Sequence, residues 1–218
     1  MFAKSLLLSL LTVSVANAHF TLRYPEPLGK SAAKQDQGPC GGYSIDSNTP
    51  VTQFHVDGDA VAYASSHPEV KVLFRIIEGN SPDGPNSFKG YPIVEQYGSG
   101  DFCEPKVTAP KDLVGKQGIV QVVQNAVDGM LYACAYVRFV SGVNSNLPDT
   151  CKNGTGVDAD FAEDPSLEAI LGGSTGTPSS SETTSAPTAT NPPSSGSLKS
   201  FSLVAGVVGF AVAILGGL

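Results

Sequence analysis

The chain predicts an all-β fold, an antiparallel β-sandwich, on three observations. Its apolar segments are short and rich in β-branched residues, turn formers cluster between them, and no long segment repeats at the helical period. In VKVLFRII (70–77), strand alternation puts Val70, Val72, Phe74 and Ile76 on one face. GIVQVVQ (118–124) reads the same way, and in MLYACAYVRFV (130–140) Leu131, Ala133, Ala135, Val137 and Phe139 share a face. EGNSPDGPNS and NAVDG lie between these runs as turns. The folded part is expected to span 19–150 as one domain, followed by an irregular extension over 151–173.

The two ends of the chain have other jobs. Residues 1–18 read as a secretory leader: Lys4 supplies the positive start, LLLSLLTVSVA the apolar stretch, and Ala16-Asn17-Ala18 the small-x-small cleavage site. Over 174–197 more than half the residues are Ser or Thr and only Glu182 is charged. Such a segment has no apolar surface to offset its ordering entropy, so it reads as an extended, O-glycosylated, disordered stalk. Residues 198–218 end in the uncharged FSLVAGVVGFAVAILGGL, behind small residues and a short polar spacer. That is the form of a glycosylphosphatidylinositol (GPI) attachment signal, with Ser194 the approximate attachment residue; a tail-anchored helix is the alternative. Either way the protein is expected at the outer face of a membrane or in the wall.

A formal net charge of −7 argues against a nucleic-acid partner. The cysteines, Cys40, Cys103, Cys134 and Cys151, all lie in the exported part and predict two disulfides, in any of three pairings. No C-x-x-C pair supports a thiolate metal site. DADFAEDP (158–165) lacks the glycine and spacing of an EF-hand loop and reads as a solvated acidic segment. PCGGY reads as a turn beside a disulfide, and Asn153-Gly154-Thr155 is an N-glycosylation sequon. No Ser-His-Asp or Cys-His set is apparent.

The chemistry sits behind the leader. Cleavage after Ala18 makes His19 the first residue, and an N-terminal histidine offers two nitrogens to one ion, its α-amine and Nδ1. One further imidazole completes three nitrogens in a T, which suits Cu(II). The other histidines are His55 and His67. His55, in TQFHVDG, reads as a strand residue, and His67 precedes the 70–77 strand.

His19-Phe20-Thr21-Leu22 with the following YP, then GPCGG (38–42), SSHPEVKVLF (65–74), GDFCEP (100–105) and LYACAYVRF (131–139) together resemble a fungal family. Its members are copper-binding proteins similar to lytic polysaccharide monooxygenases but without their activity, including the Bim-type copper acquisition factor. The resemblance implies an immunoglobulin-like β-sandwich and a histidine brace completed by an aspartate. Carried onto this chain, it implies His19, His67 and Asp101 as ligands of Cu(II), and the pairs Cys40–Cys151 and Cys103–Cys134. The chain departs from the pattern at Pro68, which stiffens the His67 loop, and at Tyr136, where an acidic residue is expected.

Copper alone does not separate an oxidative enzyme from a carrier. A ligating carboxylate fills a coordination position and favours Cu(II) over Cu(I), and the chain has no tryptophan to stack on sugar faces. The reading is therefore a non-catalytic, monomeric, surface copper binder serving acquisition or homeostasis, passing copper to a transporter. A copper-dependent oxidase of wall polysaccharide is the alternative.

Overall fold

Two β-sheets close over one apolar core in the computed structural model, which describes residues 18–172. Of the expected leader only Ala18 is described, and the expected stalk, Ser194 and GPI signal lie outside the described residues. In chain order the elements are β1 (Phe20–Tyr24), β2 (Thr52–His55), β3 (Asp59–Ser65), β4 (Glu69–Glu78), β5 (Ser87–Lys89) and β6 (Val94–Tyr97). There follow β7 (Gly100–Val107), a 3-10 turn (Lys111–Leu113), β8 (Gln117–Ala126), β9 (Gly129–Val140), β10 (Asp158–Phe161) and α1 (Pro165–Leu171). One sheet runs β1-β3-β7; the other runs β10-β6-β4-β8-β9-β2, with β5 against β4. The expected antiparallel order holds for every strand pair except β2 with β9, which is parallel.

The alternation read from the sequence is the one that packs. Val70, Val72, Phe74 and Ile76 of β4 and Leu131, Ala135, Val137 and Phe139 of β9 are buried. They join a single cluster with Phe20, Leu22 and Tyr63 of the smaller sheet. Tyr63 is its pivot, with its ring centre 5.9 Å from Phe20, 5.3 Å from Phe102 and 6.4 Å from Phe74. Phe20 thus anchors the strand that His19 begins, with burial contributing roughly 1.5–3 kcal/mol.

Two expectations are corrected here. The disulfides are Cys40–Cys134 and Cys103–Cys151, not the pairs implied by the resemblance. The partner of each cysteine follows from register: β9 brings Cys134 under the 31–42 loop, where Leu28 N–H also bonds the Cys134 carbonyl. Cys103, on edge strand β7, faces the segment carrying Cys151, whose Asn153 Oδ1 accepts from the Cys103 N–H at 3.0 Å.

The 151–173 extension, expected to be irregular, carries β10 and α1. Asp164 caps α1 by accepting from the N–H groups of Ser166 and Leu167, at 2.9 and 3.1 Å. Pro165 occupies the first turn. Leu167 is fully buried with Leu73, Ile93 and Val123. A helix of seven residues shows too few turns for its period to register in the sequence.

At one end of β3, Asp59 is fully buried and accepts from Tyr24 Oη (3.3 Å), Asn144 Nδ2 (2.8 Å) and the His55 and Ala60 N–H groups. Burial, then the Asp59 charge and hydrogen bond, push the Tyr24 hydroxyl from 10.0 up to about 12. The folded state therefore holds this proton more tightly than the unfolded state. The stabilisation is complete below pH 10 and disappears as pH rises through the folded value of about 12. The melting temperature of Tyr24→Phe is accordingly expected to fall less steeply than that of the native protein over this window. Equal slopes would remove Tyr24 from the alkaline transition.

Candidate metal centre

The site is assembled at the other end of β3, where β1 begins. Strand pairing sets Phe20 opposite Ser65, and the next residue, Ser66, grips His19 on both sides of its backbone. The His19 N–H donates to Ser66 Oγ at 2.8 Å; the His19 carbonyl accepts from Ser66 Oγ at 2.8 Å and Ser66 N–H at 2.9 Å. The next residue is His67. The sequence Ser-Ser-His therefore places one histidine's main chain beside the other histidine.

His67 is 1% exposed and tied at several points. Its N–H donates to Ser65 Oγ at 3.2 Å, and Nδ1 lies 3.4 Å from the same oxygen. Ser65 Oγ donates its only proton to Gln124 Oε1 at 3.2 Å, so toward Nδ1 it can only accept. Nε2 meets the Asp128 carboxylate at 2.8 Å, so the proton it donates there must leave before Nε2 can take a metal. The Pro68 carbonyl accepts from the Gly98 N–H at 2.8 Å, fixing the loop just after His67. Gly98 is needed there: its φ is +81°, and a Cβ would stand 2.1 Å from the Gly156 carbonyl oxygen.

The carboxylate facing His67 belongs to Asp128. Oδ1 of Asp128 is 2.8 Å from His67 Nε2, and Oδ2 accepts from the Ala18 N–H at 3.1 Å. Burial works to raise this carboxyl. The hydrogen bonds from His67 and the Ala18 amide, with the His67 charge, outweigh it and hold the group below its ordinary value. Asp128 comes from the two-residue turn between β8 and β9, which pairs Ala126 with Gly129. Asp-Gly is a strong hairpin signal, and that conventional reading hid the side chain's position at the site. Its turn-mate Val127 is 97% exposed, whereas the Asp128 side chain, 24% exposed, is the one that reaches His67.

The other predicted residues fall as follows. Asp101 lies on β7 opposite Ala64, and its carboxylate is engaged by Arg23 Nη2 at 3.0 Å. His55 ends β2 with Nδ1 2.9 Å from Asp59 Oδ2, consistent with a strand role. Tyr136 donates to Gln117 Oε1 at 3.2 Å and packs beside the Cys40–Cys134 bridge. Asn153 is exposed, and its Oδ1, not Nδ2, is the atom held by Cys103.

Among the described residues no three His, Cys, Asp or Glu side chains already form a metal-holding group. While Ala18 is attached, the His19 nitrogen is an amide that donates to Ser66, and an amide nitrogen offers no lone pair to a cation. At the site the structure joins the His67 and Asp128 side chains, with the His19 main chain alongside.

Comparison with known proteins finds relatives among fungal proteins. Over 158 residues the chain is 34% identical to the lytic polysaccharide monooxygenase-like protein X325 of Yarrowia lipolytica, a match covering 68% of this chain and 59% of that one. It is 30% identical over 152 residues to an uncharacterised protein of Aspergillus fumigatus, covering 66% and 63%. With the lytic polysaccharide monooxygenase-like protein ham-7 of Neurospora crassa it shares 26% over 162 residues, covering 62% and 70%. The match thus spans about six-tenths of the length of the first two relatives. The family described as copper acquisition factor BIM1-like matches residues 17–156, a stretch that holds both disulfides, and the chain belongs to that family.

Proposed function

We propose that the leader-cleaved protein is a surface Cu(II)-binding protein. In this reading the His19 α-amine and Nδ1, His67 Nε2 and the Asp128 carboxylate are the ligands. The observation that carries it is the 2.8 Å separation of His67 Nε2 and Asp128 Oδ1, beside the backbone of His19. Two donors each about 2.0 Å from one ion and at right angles to each other stand about 2.8 Å apart. Leader removal also frees Asp128 from the Ala18 amide, so one cut releases both an amine and a carboxylate oxygen.

The same ligand set favours carriage over oxidation. A carboxylate in the set adds negative charge, which stabilises Cu(II) against the reduction that oxygen activation requires. The protein then serves copper acquisition or homeostasis, held outward by the stalk and a GPI anchor near Ser194 as a monomer, and gives copper to a surface transporter. Resemblance to monooxygenase-like proteins extends to the name of relatives; the carboxylate facing His67 argues for the binder.

The test uses the secreted protein and a second form with one glycine inserted between Ala18 and His19. Cu(II) titration is expected to give tight one-to-one binding and a nitrogen-rich paramagnetic resonance spectrum for the first, and much weaker binding for the second. Equal binding by the two forms would defeat the proposal. Release of oxidised oligosaccharides from wall polysaccharide with copper and a reductant would turn it toward the enzyme.

A further inference from the structure

We propose that Gln35, which no sequence motif singles out, is the positioning residue that seats the N-terminal histidine for metal capture. The inference rests on the reading of the site just given. Among the described residues β1 pairs only with β3, and no described strand lies along its other edge. The backbone of His19 faces β3, and that of Phe20 faces the open side. There the Gln35 side chain makes both bonds a neighbouring strand would make. Its Oε1 accepts from the Phe20 N–H at 3.0 Å and its Nε2 donates to the Phe20 carbonyl at 2.8 Å.

Gln35 is suited to hold rather than follow. It is 5% exposed, and its own backbone is fixed by Gln35 N–H to the Ala32 carbonyl (3.0 Å) and Tyr132 N–H to the Gln35 carbonyl (2.8 Å). The loop carrying it is bonded to β9 through Cys40–Cys134. A first residue with pairing on one side alone frays. With Ser66 on one side and Gln35 on the other, the His19–Phe20 peptide keeps one orientation, and His19 is delivered toward His67 and Asp128 before any metal arrives.

The experiment compares leader-cleaved native protein, Gln35→Leu, Gln35→Glu and Leu113→Ala. The last is a core variant at the far end of the sandwich. Cu(II) affinity, the paramagnetic resonance spectrum and melting temperature are measured for each. Gln35→Leu is expected to bind about 10- to 100-fold more weakly, with a spectrum of more than one species. Gln35→Glu keeps the acceptor for Phe20 N–H but sets an oxygen against the Phe20 carbonyl, so it shifts the same readouts in the same direction. Leu113→Ala lowers the melting temperature and leaves affinity and spectrum unchanged. Native binding with both Gln35 variants within twofold of it and spectrally identical overturns the inference alone. No binding by the native protein overturns the metal reading with it. If Gln35→Leu is not secreted in folded form, Gln35→Glu decides by the same two readouts.

Discussion

In leader-cleaved protein, Asp128→Ala is expected to weaken Cu(II) binding on the order of 100-fold, about 2.8 kcal/mol at 1.4 kcal/mol per decade. Asp101→Ala is expected to leave it within a factor of two. The contrast follows from what each carboxylate touches. Asp128 stands 2.8 Å from His67 Nε2, whereas Asp101 is held by Arg23 at 3.0 Å in a pair with side chains 43% and 34% exposed. Losing such an exposed pair costs about 0.2–1 kcal/mol of stability and does not reach the histidines. Neither variant should unfold the domain, because both carboxylates are partly exposed rather than core groups. Asp128→Asn sharpens the test: it keeps the shape and one acceptor while removing the charge, and its spectrum should change as that of Asp128→Ala does. The opposite pattern, loss with Asp101→Ala and none with Asp128→Ala, would return the ligand role to Asp101.

The fold was legible where burial alone decides. Val70, Val72, Phe74 and Ile76 repeat every second residue because one face of β4 is core, and the structure buries all of them. His19 and His67 were legible because so few histidines exist and one follows a cleavage motif. What stayed hidden depends on long-range register. Asp128 looks like a turn residue and is one; only the meeting of the β8–β9 turn with the end of β3 brings it to His67. The cysteine partners depend on register in the same way. Gln35 sits in a polar loop with no periodicity, and its meaning lies in Phe20, fifteen residues earlier in the chain. α1 was missed for a local reason, since a helix of seven residues shows no repeat, although its Asp-Pro start is a recognisable cap.

The two disulfides should separate stability from copper binding. Cys40–Cys134 spans 94 residues and Cys103–Cys151 spans 48. By the loop-entropy relation, removing them costs about 4.7 and about 4 kcal/mol respectively. For a domain of this size that corresponds to melting-temperature losses of roughly 10–20 °C each. Replacing both cysteines of a pair by serine leaves no stray thiol to exchange. The double variant at 40 and 134 releases the loop that holds Gln35 against Phe20, so it should lose Cu(II) affinity as well as stability. The double variant at 103 and 151 frees only edge strand β7 and the Asn153 segment, so it should melt earlier yet bind copper like the native protein. Non-reducing digestion checks the pairing itself: peptides joining 40 to 134 and 103 to 151 are expected, and a peptide joining 40 to 151 would restore the connectivity implied by the resemblance. Equal copper affinity in the two double variants would mean that the loop carrying Gln35 is held to β1 by its hydrogen bonds without help from its disulfide.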